Sequence, residues 1–290
     1  MTFASNDSRQ LGGDVTHPTR VLVAAGRSSH GVRALRRGIA LALAMDRPLV
    51  IWSVIPEREA RSIQFLSRDA AATETVCAQF AERLRAEAEG LGARGVSLSI
   101  EVRVGDPEEV LRAAASDPSD LLVLGRGSET RTALAPLGNT TYHLVRNVAC
   151  SVWVEPSTWE VSEGPVLVAM DGSRHGQRAL QRAHALAGSL GNDLRVVHVH
   201  RREDAASAGE RCAEWVSEAL GPSGARVSVE THEGDPTQGI ERACATDPPA
   251  LLVLSSLGEG SLLTRWMLGG TVYQVLRQMG CPVLVDRETS

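Results

Sequence analysis

The sequence lacks the features that mark several broad classes of protein. It has no excess of basic charge. Its 30 Lys and Arg against 35 Asp and Glu give a formal net charge of -5, so there is no electrostatic footprint for nucleic acid. No apolar stretch approaches the ~20 residues that span a bilayer; the longest candidate, Ile39 to Met45, stops at Asp46. No membrane association is expected. None of the five cysteines (Cys77, Cys150, Cys212, Cys244, Cys281) forms a CxxC pair or fits a zinc framework. They read as free thiols in a reducing cytosol, and a cytoplasmic location is expected. Residues 1–19 are polar and turn-rich and have no apolar h-region, so they read as a mobile tail and not a signal peptide.

Catalytic signatures are missing as well. There is no GxxxxGK[ST], which excludes a P-loop ATPase, and no GxSxG elbow. The HxGH and SGGxDS signatures of adenylating enzymes are absent too. His198 and His200 form an HxH pair whose side chains share one strand face, but no third ligand has suitable spacing, so packing is the reading and no metal is required. His30 and His175 hold matching places early in a helix and read as packing or capping residues. Trp52, Trp153, Trp159, Trp215 and Trp266 are scattered through the chain, which suits core or interface positions better than a base-stacking platform. No general base or nucleophile is placed for a reaction, so no enzyme is expected; any ATP hydrolysis would be slow.

What the sequence does contain is a repeat. Val21 to Leu35 reads VLVAAGRSSHGVRAL and Val166 to Leu180 reads VLVAMDGSRHGQRAL, identical at ten of fifteen positions. Gly105-Asp106-Pro107 recurs as Gly234-Asp235-Pro236. SDPSDLLVL (Ser116 to Leu124) recurs as TDPPALLVL (Thr246 to Leu254), and CSVWV (Cys150 to Val154) as CPVLV (Cys281 to Val285). Four matching blocks in one order mean a duplicated domain. The first copy is taken as 20–155 and the second as 165–287. The polar, turn-prone stretch 156–164 reads as the linker.

Each copy alternates strand and helix. Val21–Ala25, Leu121–Leu124 and Leu251–Leu254 are short and wholly apolar, as strands buried on both faces are. Leu180, Ala183, Leu186, Ala187 and Leu190 fall at helical spacing, and Gly191-Asn192 supplies the stop. Leu49–Ile55, Leu194–Val199, Val96–Val104 and Arg226–His232 read as further strands. The segment Ala60 to Leu91 reads as helix-rich. The expected architecture is α/β: two tandem doubly wound domains, each with a five-stranded parallel sheet of Rossmann-like type.

In such sheets ligands bind beyond the carboxyl ends of the strands, where strand order reverses. Two loops per copy are therefore candidates. After the first strand, the second copy has Asp171-Gly172-Ser173. The carboxylate can accept from an exocyclic amine, Gly172 permits a tight backbone, and Ser173 can cap the next helix. The same triplet is also plain turn-and-cap chemistry. The first copy has Gly26-Arg27-Ser28 and no acid. After the fourth strand, the first copy has Gly125-Arg126-Gly127-Ser128 and then Gly138-Asn139-Thr140. The second has Ser255, Gly258, Gly260 and then Gly269-Gly270-Thr271. Glycine-rich backbone before a helix N-terminus suits an anion such as phosphate.

These blocks together resemble the universal stress protein family, over nearly all of residues 20–287. The resemblance implies an adenine nucleotide alpha hydrolase-like fold and ATP or ADP as ligand. In nucleotide-binding members an Asp ends the first strand and a G-x2-G-x9-G-[S/T] loop follows the fourth. It implies adenine near Asp171 and the end of the second strand at Val199, with phosphates over the later loop of the second copy; in the first copy, whose later loop keeps the better spacing, Arg126 or Arg131 could add charge. Both copies depart from the pattern. Gly26 replaces the acid, Ser128 the second glycine and Asn139 the hydroxyl. In the second copy Ser255 replaces the first glycine, and Gly258 and Gly269 are one residue too far apart. One nucleotide per chain and none both stay open, with a partner-binding scaffold as the alternative function. The resemblance also implies edge-to-edge pairing of the last strands, Val152–Val154 with Val283–Val285, as an internal pseudo-dimer. Homodimerisation of the whole chain is a further possibility.

Overall fold

The two halves of the chain do not form two separate sheets. A computed structural model describes residues 17–26, 28–67, 71–127, 137–156, 163–221, 227–256 and 270–287. The first half runs β1 (Val21–Ala24), α1 (Ser29–Met45), β2 (Leu49–Ile55), α2 (Glu57–Ser67), α3 (Ala72–Gly90), β3 (Leu98–Val104), α4 (Pro107–Ala114), β4 (Leu121–Gly125), α5 (Asn139–Asn147) and β5 (Ser151–Glu155). The second half runs β6 (Val166–Met170), α6 (Arg174–Leu190), β7 (Leu194–His200), α7 (Ala208–Leu220), β8 (Val227–Glu233), α8 (Pro236–Thr246), β9 (Leu251–Ser255), α9 (Gly270–Gln278) and β10 (Val283–Asp286). The helix-rich stretch of the first half is therefore two helices, α2 and α3, where the second half has a 3-10 turn at Arg202–Asp204 and one helix.

The strands form one ten-stranded sheet in the order β3-β2-β1-β4-β5-β10-β9-β6-β7-β8. Every pair within a half is parallel; the join between β5 and β10 is antiparallel, with Leu284 opposite Trp153. The pairing expected of the last strands is thus present within the chain. It removes two apolar edges that would otherwise invite aggregation.

Local chemistry sets the helix starts. Ser28 and Ser173 cap α1 and α6 through hydrogen bonds from the amides of Gly31 and Gly176. The two Gly-Asp-Pro turns do the same work for α4 and α8. Asp106 accepts from the amides of Glu108 and Glu109, Asp235 accepts from Gln238, and the proline takes the first helical position, where a missing N–H costs nothing. Gly191, at φ +73°, ends α6 as its sequence position suggests.

Two apolar layers cover the sheet faces. One joins Val23, Leu35, Ile39, Val168, Leu180 and Leu186 across both halves, with Trp153 and Leu284 between them. The other joins Leu22, Leu122, Leu144, Val152, Leu252 and Val275. Trp153 is fully buried at the seam. Its Nε1 donates to Glu155 Oε2 at 2.9 Å, which satisfies the one polar atom the indole carries inward. Two arginines close the seam from outside the sheet. Arg126 Nη1 donates to the Met279 carbonyl at 2.8 Å, and Arg287 Nη2 donates to the carbonyls of Val145 and Arg146. Each side chain reaches the carboxyl end of the other half's last helix, where the dipole favours a cation.

Candidate functional site

Strand order reverses between β1 and β4 in the first half and between β6 and β9 in the second. The crevice of a doubly wound sheet opens at these points, beyond the carboxyl ends of the strands.

In the second half, Asp171 follows β6. Its Oδ1 accepts from the Ser173 amide at 3.0 Å and from the Ser173 hydroxyl at 2.6 Å, while Ser173 Oγ accepts from the Gly176 amide at 3.0 Å. The triplet is therefore both a turn and a cap, and it holds the carboxylate in one orientation. Gly172 sits at φ +78°, and a Cβ there would lie 2.4 Å from Trp215 Cζ2. Both the backbone and the packing demand glycine.

Beside this turn lies a cleft of about 560 Å³ lined by Asp171, Gly172, His198, Val199, His200, Arg201, Asp204, Arg211 and Trp215. That volume is within the ~300–1,000 Å³ of small-molecule pockets. His198 and His200 point to one face of β7, their rings 6.2 Å apart. His198 Nδ1 is 2.8 Å from the Met170 carbonyl, and its ring stands edge-on to Trp215 with centroids 5.1 Å apart. The Arg211 guanidinium lies over Trp215 at 6.0 Å and its Nη1 is 3.5 Å from Asp204 Oδ1. A Cβ on Gly239 would meet Val199 Cγ2 at 2.5 Å. The Val199 side chain is therefore on the far face of the sheet, and its backbone is what it offers the cleft. Among the described residues no group of three or more His, Cys, Asp or Glu could hold a metal.

The later loop of this half is described only at its ends. Ser255 closes β9, the Ser256 amide donates to the Asp286 carbonyl at 2.9 Å, and Gly270 and Thr271 open α9. Gly258, Gly260 and Gly269 lie outside the described residues. The β6–β9 register pairs Val168 with Val253, and continuing it sets Asp171 beside Ser256, so both candidate loops leave the sheet side by side.

The first half differs. At the place of the second half's large cleft, the described residues of the first half enclose a space of about 80 Å³ lined by Gly26, Ser53, Val54, Ile55, Glu59, Val76 and Phe80. Ser53 holds the register position of His198, and Val76 and Phe80 of α3 narrow the crevice. Its phosphate-side glycines are engaged in packing. A Cβ on Gly125 would lie 2.6 Å from the His30 carbonyl oxygen, and one on Gly138 would lie 2.3 Å from the Gly127 carbonyl oxygen. The Gly138 amide donates to Arg126 O at 2.9 Å and Thr141 Oγ1 donates to Gly125 O at 2.8 Å. Gly138 stands at the N-cap of α5, with Asn139 and Thr140 in its first turn. Ser128 and Arg131 lie outside the described residues. Arg126, which the sequence offers to this loop, sends Nη1 elsewhere. Its guanidinium is committed to Met279 across the seam, where burial pulls its pKa below the usual arginine value.

Trp215, His198 and Arg211 are cleft residues that sequence reasoning did not assign to the site. The HxH pattern and the matching strand register were the signals available for the histidine. For Trp215 there was none, because its place depends on how α7 packs against the turn at Gly172.

The profile of the Universal stress protein family matches residues 18–156 and 164–287. No curated protein matches the chain by sequence. Among solved structures, a universal stress protein from Archaeoglobus fulgidus DSM 4304 is similar with a TM-score of 0.73 at 18% identity, over 93% of this chain and 98% of its own. A putative universal stress protein from Pseudomonas aeruginosa UCBPP-PA14 is similar with a TM-score of 0.68 at 20% identity, over 95% of each chain. A universal stress protein solved in complex with cAMP matches 48% of this chain and 98% of its own, at 20% identity and a TM-score of 0.36. With two tandem matches that cover most of its length, and the duplicated Rossmann-like fold that carries them, the chain belongs to the universal stress protein family.

Proposed function

We propose that the second half binds an adenine nucleotide, ATP or ADP, and that the chain uses this binding to sense or regulate in a stress response without covalent chemistry. The observation that carries the reading is the cleft of about 560 Å³ beside Asp171 in the second half, against the space of about 80 Å³ that the described residues enclose at the same place in the first. The larger one sits at the switch point, beside the only acid found after a first strand, and next to the end of β9. A space of about 700 Å³ near Asn192, Asp193 and Arg195 lies at the amino ends of the strands, away from the fold's binding rim, and is not assigned this role. Homodimerisation and a cytoplasmic location belong to the same proposal.

Binding to the native state alone stabilises by about 2.7 kcal/mol at a ligand concentration of ~100 Kd. Thermal unfolding with millimolar ATP, ADP and GTP tests this. A rise in Tm with the adenine nucleotides that is lost in Asp171→Ala supports it. No rise with any nucleotide sinks it.

One observation favours the second reading, a nucleotide-free scaffold that acts through protein partners. Asp171 Oδ1 already accepts two hydrogen bonds from Ser173, and Trp215 covers Gly172. Purified protein without nucleotide on mass analysis, together with an unmoved Tm, would select that reading.

A further inference from the structure

We propose that Cys244 and Cys281 form an oxidisable dithiol, a modification site at which a hydroperoxide closes a reversible disulfide between α8 and the entry to β10. The inference does not depend on the nucleotide reading.

The repeat places the two thiols together. Cys244 lies ten residues past Gly234 of its Gly-Asp-Pro turn, as Ala115 lies ten past Gly105, and Cys281 opens the same CxVxV block as Cys150. In the first half the Ala149 amide donates to the Ala115 carbonyl at 3.4 Å, so the end of α4 meets the residue before Cys150. In the second half the same meeting brings thiol to thiol. The Cys244 S–H donates to the Cys281 sulfur, and both side chains pack in one apolar layer.

Arg126 adds a charge to this contact. Its Nη1 takes the Met279 carbonyl, two residues before Cys281, while Nε and Nη2 are buried and no described group accepts from them. Cys281 is the group that raises its pKa by charge, so a thiolate there gives the guanidinium a counter-charge. The S–H donated by Cys244, and then Arg126, pull the Cys281 thiol below its ordinary value. It is the one cysteine of five so shifted. Cys150 has Arg287 in the matching place but an alanine where the partner thiol would be, and burial pushes it up to about 12.

The thiolate is the reactive form. Cys281 is 5% exposed and Cys244 half-buried, so the pair meets solvent at Cys244. A proton passed along the S–H···S bond moves the charge there. The Cys244 sulfur then attacks the peroxide: an S–O bond forms, the O–O bond breaks, and the leaving oxygen takes a proton from water. The Cys281 sulfur attacks the sulfenic acid: the S–S bond forms, the S–O bond breaks, and hydroxide departs with the Cys281 proton as water. Two thiols lose two electrons and the peroxide gains them. In a reducing compartment such a disulfide is transient. It ties α8, whose Gly239 packs on Val199 of the cleft strand, to the seam.

The test is oxidation of the reduced full chain with a small excess of hydrogen peroxide, read by alkylation in denaturant and peptide mapping. The alkylated thiols are expected to fall from five to three, with one cross-linked peptide pair that carries Cys244 and Cys281. Dithiothreitol should restore all five. Cys244→Ser and Cys281→Ser should each abolish the cross-link, and Cys150→Ser should leave it intact. The wild-type map decides alone should a variant not fold. An unchanged count, a cross-link between other cysteines or between two chains, or oxygen added to either sulfur with no cross-link overturns the proposal.

Discussion

Glu155 and Asp286 occupy the same place in the two halves: each is the last residue of a fifth strand, and each is closed by an arginine from the first helix of its own half. Arg37 of α1 meets Glu155 at 3.0 and 3.3 Å, and Arg182 of α6 meets Asp286 at 2.5 Å. Glu155 and Asp286 are 6% and 3% exposed. The Arg37 guanidinium also lies 5.3 Å from the centre of the Trp153 ring, and Asp286 accepts from Ser151 of the opposite half at 2.9 Å. The seam is thus framed by a duplicated pair of buried charges.

Removing one partner leaves the other charge buried and unpaired. Glu155→Ala should destabilise the chain by about 3–5 kcal/mol, read as a lowered urea midpoint. The double change Arg37→Met with Glu155→Leu should recover part of that loss, because no charge is left buried and unpaired, while Trp153 Nε1, deprived of its acceptor, retains a cost of about 1–3 kcal/mol. A double variant as weak as the single one would refute the account.

Trp153 faces Leu284 across the join and is enclosed by both halves. Trp153→Ala should cost about 3–5 kcal/mol. Calorimetry should show one transition moving down as a unit, since the apolar layers are continuous from one half to the other. Two separated transitions in wild type would show that the halves unfold independently.

Gly172→Ala meets two costs, a left-handed backbone and a methyl group 2.4 Å from Trp215. The expected loss is roughly 1–3 kcal/mol. If the indole moves to make room, it moves into the cleft, so the thermal response to ATP should shrink as well. An unchanged response would place the ligand elsewhere.

Stability should fall at alkaline pH. Burial pushes the Cys150 thiol up to about 12 and the Cys212 thiol up to about 11. Unfolded thiols ionise near pH 8.5. Above that pH the unfolded chain has lost protons that the native chain keeps, so the stabilising contribution is full below ~8.5 and is lost as pH rises toward the folded values. Urea titrations from pH 8 to pH 10 should show the decline. Cys150→Ala should make it shallower, by at most about 1.4 kcal/mol per pH unit. A parallel decline in the variant would contradict the assignment.

The strands were legible because a duplication writes each signal twice; the join of the last strands came from the family resemblance. Wholly apolar fourth strands, Gly-Asp-Pro turns and paired CxVxV ends each point to one element, and the two copies agree. The Arg37–Arg182 equivalence was also available, since the repeat continues past Leu35 and Leu180. The candidate site was only half legible. Asp171 and Ser173 act within one turn, so short-range chemistry reveals them. Trp215 on Gly172, the Nδ1 bond of His198 and the reach of Arg126 to Met279 depend on packing between elements far apart in sequence, and no local pattern encodes them.

The antiparallel join has a geometric consequence for anything that approaches this protein. Because every strand of one half runs against every strand of the other, their carboxyl rims lie along opposite borders of the shared plate. The open cleft beside Asp171 and the narrow one beside Gly26 therefore look in opposite directions, and no single small molecule can bridge them. A binding protein that touched one rim would leave the other free for a second visitor.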